Sequence, residues 1–361
     1  MIRQKLKYLF ITLLFVGVFS CEVTKKQQDQ DDNTISEEIS FNGTLKVLSL
    51  NTWHETTRVE GGFEALAEVI EQAEADIVML CEINNYNNVT FSTKIVGELK
   101  KRGIEYHSFN SGKSPIILSK YNIIATPSIA SNSLTKCIVE VNDETTLAVY
   151  AAHLDYTHYA CYLPRGYDGI TWKKLPEPVL DVNEILAQNK ASQRDEAISL
   201  FIEDASKEKE KGNLVFLGGD FNEPSHLDWT DATKNMFDHN GVVVPWHNSV
   251  MLEKQGYLDS YRVKFPDPVS HPGFTWEAYN RDVEISEMIW TPDADDRDRI
   301  DFIYYSENER LNVEDVIVVG PSETIVKGQA IQDKTASDKF LEPTGKWPSD
   351  HKGVLATFKI E

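Results

Sequence analysis

The sequence predicts an α/β sandwich of two sheets. Two observations carry that expectation. Short apolar runs with β character follow one another in hairpin-like succession from residue 45 onward, interrupted by a few amphipathic segments at helical spacing. No glycine-rich loop of the GxGxxG or Walker type follows the first of these runs, so the usual mark of a doubly wound nucleotide-binding sheet is missing.

Taken in order, LKVLSLNTW (45–53) reads as a strand, and Phe63, Leu66, Val69, Ile70 and Ala73 then recur at helical spacing. DIVMLCEI (76–83) is the second strand, and a second helix covers 91–102. SPIILSKY, IIATPSIA, CIVEVN and TLAVYAAHLD follow as short strands. Residues 155–188 break the pattern: rich in Tyr, Pro and Gly and without clear periodicity, they read as a long functional loop. Ala197, Ile198, Phe201, Ile202 and Ala205 mark a third helix, and NLVFLGGDFN a buried strand. Further strands are expected at YLDSYRV, RIDFIYY, VEDVIVV and GVLATFKI.

The N-terminus reads as a targeting segment. Arg3, Lys5 and Lys7 precede an apolar run from Tyr8 to Phe19, shorter than the ~20 residues that span a bilayer. The run ends in Val18-Phe19-Ser20-Cys21, which resembles a bacterial lipobox and makes Cys21 the expected lipidation site. Residues 1–20 are thus expected to be a lipoprotein signal peptide, 21–43 a polar tether and 44–361 the folded domain, with 155–188 as an inserted loop. This places the protein on the outer membrane of a Gram-negative bacterium as an exported monomer touching the membrane through its lipid alone. Cys81, Cys137 and Cys161 lack CxxC spacing, which argues against zinc, and Cys81 reads as a small buried hydrophobe.

The chain carries 57 acidic against 36 basic residues, a net charge of −21. Such acidity disfavours long nucleic acids, whose recognition rests on cationic side chains. It leaves phosphate chemistry open, because a bound cation reverses the local field.

The informative polar residues sit at, or interrupt, apolar β runs: Asn51, Glu82, His153, Asp155, Asp220, Asn222, Asp301, Asp350 and His351. One such residue alone reads as a turn or a satisfied strand end. Several converging on one cleft supply carboxylates, amides and imidazoles, the donor set for a hard cation and a phosphate.

In chain order, LSLNTW, CE, SPIILSKY, AAHLD, GGDFNEP, RIDFIYY and SDH resemble the motifs of the endonuclease/exonuclease/phosphatase superfamily, the deoxyribonuclease I-like fold. The resemblance implies a four-layer α/β/β/α sandwich of two mainly antiparallel sheets and a metal-dependent phosphoric ester hydrolase. It implies Asn51, Glu82 and Asp350 at a Mg²⁺ site, with Mn²⁺ as a substitute. It gives Asp220 and Asn222 the attacking water and the phosphate, His351 a contact to the scissile phosphate, and Asp301 the orientation of His351. His153 sides with the branch holding deoxyribonucleases, sphingomyelinases and inositol phosphatases. Arg165 and Arg194 are further candidates for clamping an anionic group, and the loop aromatics Tyr159, Tyr162, Tyr167 and Trp172 for a substrate wall. The expected substrate is a small organic phosphate mono- or diester or a phospholipid head group. A secreted scavenging nuclease and a catalytically silent ligand-binding lipoprotein are the alternatives.

Overall fold

The computed structural model describes residues 41–109, 112 and 114–361. The expected signal peptide, Cys21 and the tether up to residue 40 lie outside the described residues. In chain order the elements are β1 (Thr44–Asn51), α1 (Gly62–Ala73), β2 (Ile77–Cys81), α2 (Phe91–Lys101), β3 (His107–Phe109), β4 (Ile116–Ser119), β5 (Asn122–Ala125), β6 (Leu134–Asn142), β7 (Thr145–His153), α3 (Val182–Asn189) and α4 (Arg194–Glu210). They continue with β8 (Leu214–Asp220), α5 (His247–Lys254), β9 (Tyr257–Asp259), α6 (Ser260–Lys264), β10 (Asp301–Ser306), β11 (Leu311–Val319), β12 (Glu323–Val326), β13 (Gln329–Gln332), β14 (Phe340–Leu341) and β15 (Gly353–Ile360).

One sheet has the order β14-β11-β15-β1-β2-β4-β3, and the other β5-β6-β7-β8-β10-β9. Within them β1–β2, β11–β14 and β7–β8 pair parallel and the remaining neighbours antiparallel. The sheets pack face to face through Leu45, Val47, Met79, Val149, Phe216, Ile303 and Phe358. Alternate residues turn outward: Leu48, Leu50, Val78 and Leu80 meet Leu66, Val69 and Ile70 of α1 and Ile95 and Leu99 of α2. On the far side Tyr150, Val215 and Leu217 meet Ile198 and Phe201 of α4 and Leu252 of α5. The result is the four-layer α/β/β/α sandwich. Burial on both faces explains why these strands read as continuous apolar runs.

Glycine makes the close approach of β7 and β8 feasible. A Cβ on Gly219, at φ +146°, would lie 1.8 Å from the Ala152 carbonyl oxygen. A Cβ on Gly218 would lie 2.3 Å from Met79 Cε between the sheets.

Three expectations need correction. YLDSYRV keeps strand structure only over Tyr257–Asp259, because the Asp259 carboxylate accepts from the N–H groups of Tyr261 and Arg262 and starts α6. IIATPSIA is a strand only to Ala125, two residues before Pro127, which has no N–H to continue a ladder. Residues 155–188 are no open loop. Asp181 caps α3 within them, and Tyr159, Cys161, Tyr162 and Ile185 form an apolar cluster with Trp229 and Trp246. Cys81, Cys137 and Cys161 are buried free thiols.

Candidate active site

Strand register assembles the site. His153 is level with Asp220 across β7 and β8, and Asp220 with Asp301 across β8 and β10, so three polar side chains stand abreast. In the other sheet Asn51 is level with Cys81, which places Glu82 one residue beyond. The segment before β15 is tied to the same edge. Ser349 Oγ donates to the Asn51 carbonyl at 2.7 Å and accepts from the His351 N–H at 3.1 Å, and Trp347 Nε1 donates to the His351 carbonyl at 2.8 Å.

Asp220 is the hub. Its Oδ2 accepts from Asn51 Nδ2 at 3.0 Å and Asn222 Nδ2 at 3.4 Å, and lies 3.8 Å from His153 Nε2 and 3.9 Å from His351 Nε2. Its Oδ1 accepts from the Asn222 N–H at 2.8 Å, and Asn222 Nδ2 reaches the Leu154 carbonyl at 3.1 Å. His351 Nδ1 lies 3.0 Å from Asp301 Oδ2, and its ring rests 4.8 Å from Trp276. Asn51 Nδ2 also donates to Glu82 Oε1 at 3.1 Å, while Glu82 Oε2 accepts from the His54 N–H at 2.7 Å. Asn51 Nδ2 also lies 3.5 Å from His351 Nε2, so six of the eight expected catalytic and metal residues form one hydrogen-bonded network. His153 joins it through Asp220, and Asp350 through charge.

Electrostatics follow from burying so many acids together. Burial, opposed by His351 and reinforced by Glu82 and Asp220, pushes Asp350 up to about 7. Burial alone would depress His351, but Asp301, Asp220 and Asp350 outweigh it and raise the imidazole to about 10. Burial raises Asp301, with His351 opposing. Three carboxylates face one imidazole, so His351 holds its proton above the usual histidine range. Burial works against ionisation of Glu82, yet His153, His351, the Asn51 amide and the His54 N–H together lower it.

The donor set fits a hard divalent cation. Carboxylate oxygens dominate, and buried Asp301 Oδ1 and Asp350 Oδ1 have no hydrogen-bond partner among the described residues. The tightest grouping is Asp220, Asp301 and His351, whose ligand atoms lie within 4.8 Å of one another, with Glu82 and Asp350 outside it. The His351–Asp301 hydrogen bond accounts for much of that closeness. Asn51 faces Glu82 and Asp220 with its Nδ2, while its Oδ1 accepts from the Trp53 N–H at 2.9 Å, so ligation through oxygen requires turning the amide over.

The two arginines are not brought into this network. Arg165 is buried, its guanidinium paired with the Asp298 carboxylate and donating to the carbonyls of Arg297 and Phe237, both at 3.2 Å. Arg194 is buried and donates to the carbonyls of Asp155 (2.6 Å), Thr157 (2.9 Å) and His158 (3.0 Å). Each fastens the 155–188 insertion, and neither guanidinium is free for a phosphate. Tyr159, Tyr162 and Tyr167 are buried as well, so they build the insertion rather than line a cleft. Lys46 and Lys120, by a cavity near the start of β1, are already paired with Glu74 and Asp76.

His54 was not legible as a site residue. Its side chain is 43% exposed and its Nδ1 lies 3.7 Å from Glu82 Oε2. Trp53, His54, Glu55 and Thr56 all have left-handed backbones, φ 46° to 63°. Such residues cost roughly 1–2 kcal/mol each. Glu55 holds the turn through its N–H to the Glu82 carbonyl at 3.0 Å and its carboxylate to the N–H groups of Asn85 and Tyr86. Glu82 and Asn222 are also left-handed, at φ 59° and 48°. Backbone strain thus gathers where the polar side chains converge.

The model of the Endonuclease/Exonuclease/phosphatase family matches residues 48–351, and the chain belongs to that family. Its members are phosphoester hydrolases that depend on divalent metals, and the acidic and imidazole cluster described above agrees with that chemistry. A Caenorhabditis elegans protein, described only as uncharacterized protein F14F9.5, is 28% identical over 275 residues, covering 75% of this chain and 81% of its own. Two similar solved structures are D. rerio TDP2 complexed with a single-strand DNA product (16% identity, 88% of this chain and 99% of that one, TM-score 0.49) and the human Nocturnin catalytic domain with bound sulfate (13%, 90% and 97%, TM-score 0.49).

Proposed function

We propose that this protein is an exported, Mg²⁺-dependent phosphoesterase acting on a small organic phosphate ester, tethered to the outer membrane through Cys21. The observation that carries the reading is the Asp220 hub, with His153 and Asp301 level on neighbouring strands and the His351–Asp301 pair behind it.

Glu82 and Asp350, with Asn51 beside them, would hold the cation. A bound Mg²⁺ would stabilise negative charge on the phosphoryl oxygens. Asp220 accepts a proton from the attacking water at its carboxylate. Asn222 holds Asp220 through its backbone N–H. His351, kept as an imidazolium by Asp301, donates from Nε2 to a phosphoryl oxygen, and His153 offers a second donor from Nε2. Net charge −21 favours a small substrate over a long polyanion.

The test is a panel of phosphomonoesters, phosphodiesters, phospholipid head groups, and plasmid and single-stranded DNA, each with Mg²⁺ or Mn²⁺ and with chelator. The reading predicts turnover of a small ester that chelator abolishes. Preferential degradation of DNA would instead favour a scavenging nuclease. Inertness toward every ester, with no Mg²⁺ or Mn²⁺ binding by calorimetry, would favour a silent binding protein.

A further inference from the structure

The turn after β1 brings an imidazole to the carboxylate just beyond β2. The His54 N–H donates to Glu82 Oε2 at 2.7 Å, and the Glu55 N–H donates to the Glu82 carbonyl at 3.0 Å. The turn thus grips Glu82 twice. It carries the His54 ring to the same carboxylate oxygen, with Nδ1 3.7 Å from Oε2. Asn51 uses the other oxygen, Oε1, at 3.1 Å. Beyond its approach to Glu82 the imidazole makes no hydrogen bond among the described residues, and it stands open to solvent.

Four consecutive residues, Trp53 to Thr56, hold left-handed backbones without a glycine. Such strain persists where surrounding contacts impose it, and it gathers at sites that bind or react. Here it sets a ring nitrogen beside a carboxylate of the cation site. Two donors that share one cation at about 2.1 Å each stand no more than about 4.2 Å apart. The spacing of His54 Nδ1 and Glu82 Oε2 falls inside that limit. The other two imidazoles of the cluster face different carboxylates: His351 Nδ1 lies 3.0 Å from Asp301 and His153 Nε2 lies 3.8 Å from Asp220.

We propose that His54 is a cation-selecting ligand that adds a nitrogen donor beside Glu82. A first-row transition ion is then held there more tightly, relative to Mg²⁺, than oxygen donors alone would hold it. The inference rests on the metal-dependent hydrolase reading and adds a residue that sets which cations the site takes. Its chemistry is general: Mg²⁺ prefers oxygen ligands throughout, whereas imidazole nitrogen suits the later first-row ions.

The test titrates Co²⁺ and Mg²⁺ separately into the intact natural protein, His54→Asn and His54→Gln. Calorimetry gives both affinities, and visible absorption follows the Co²⁺ ligand field. Asparagine tolerates a left-handed backbone, and glutamine brings an amide of longer reach; each replaces the ring nitrogen. Thermal unfolding shows whether each variant is folded. The proposal predicts that the Co²⁺-over-Mg²⁺ affinity ratio falls about tenfold in both variants, that Mg²⁺ affinity stays nearly constant, and that the Co²⁺ bands shift. An equal loss for both ions would overturn it, because His54 would then only place Glu82. So would a ratio and a Co²⁺ spectrum unmoved in either folded variant, with both ions still bound. Failure of the natural protein to bind either ion would sink the metal-dependent hydrolase reading itself, and the assignment of His54 with it.

Discussion

At the scale of single residues, position in the packing decides what a titratable group does. His351 and His239 are both buried, yet their environments push them in opposite directions. Carboxylates surround His351 and keep it charged. His239 stacks 3.6 Å from the Trp229 ring, and burial, reinforced by the nearby Arg165 guanidinium, lowers it to about 2. A folded value below the unfolded one means that the unfolded chain binds the extra proton first. His239 therefore removes stability as pH falls below about 6.5, by roughly 2 kcal/mol at pH 5. Denaturant unfolding at pH 7 and pH 5 should show that loss in the natural chain and a smaller one in His239→Phe. Equal pH dependence in the two would contradict the assignment.

At the scale of elements, strand ends present the chemistry, and the 155–188 insertion is locked beside them. Arg165→Met should lower the unfolding free energy by about 3–5 kcal/mol, because it leaves Asp298 charged and buried without its partner. A raised KM with unchanged stability would return Arg165 to the substrate. Gly219→Ala should destabilise by more than about 3 kcal/mol, since the added carbon meets the β7 backbone at a left-handed φ. Thermal unfolding reads both. The strands carrying Asn51, His153, Asp220 and Asp301 were legible because apolar runs ended in, or were broken by, polar residues, and α1 and α4 because their apolar residues kept helical spacing. Helix α3 was not, since its first turn is set by Asp181 inside a Pro- and Tyr-rich stretch. The left-handed turn at Trp53–Thr56 was hidden too: TWHET contains no glycine, and beside its local hydrogen bonds the turn is tied by long-range ones to Glu82, Asn85 and Tyr86. Arg165 looked free for the same reason, as its partner Asp298 is remote in sequence.

At the scale of the whole molecule, two sheets carry residues from both ends of the domain to one edge. Asn51 and Ser349 share a hydrogen bond, and Asp220, midway along the chain, contacts both Asn51 and His351. Several acids gather in this cluster, where burial, reinforced by the charges of Glu82 and Asp220, raises Asp350, and a divalent cation would favour its ionised form. On the proposed function, this shared edge hydrolyses phosphoesters with a bound divalent metal. Its most direct test is the Mg²⁺-dependent hydrolysis of one small phosphoester by the natural protein and by Asp220→Asn, side by side, with and without chelator. The predicted result is turnover that chelator abolishes and that Asp220→Asn lowers by about 10²–10⁴-fold while the protein stays folded. Undiminished turnover in Asp220→Asn, or turnover indifferent to chelator, would contradict it.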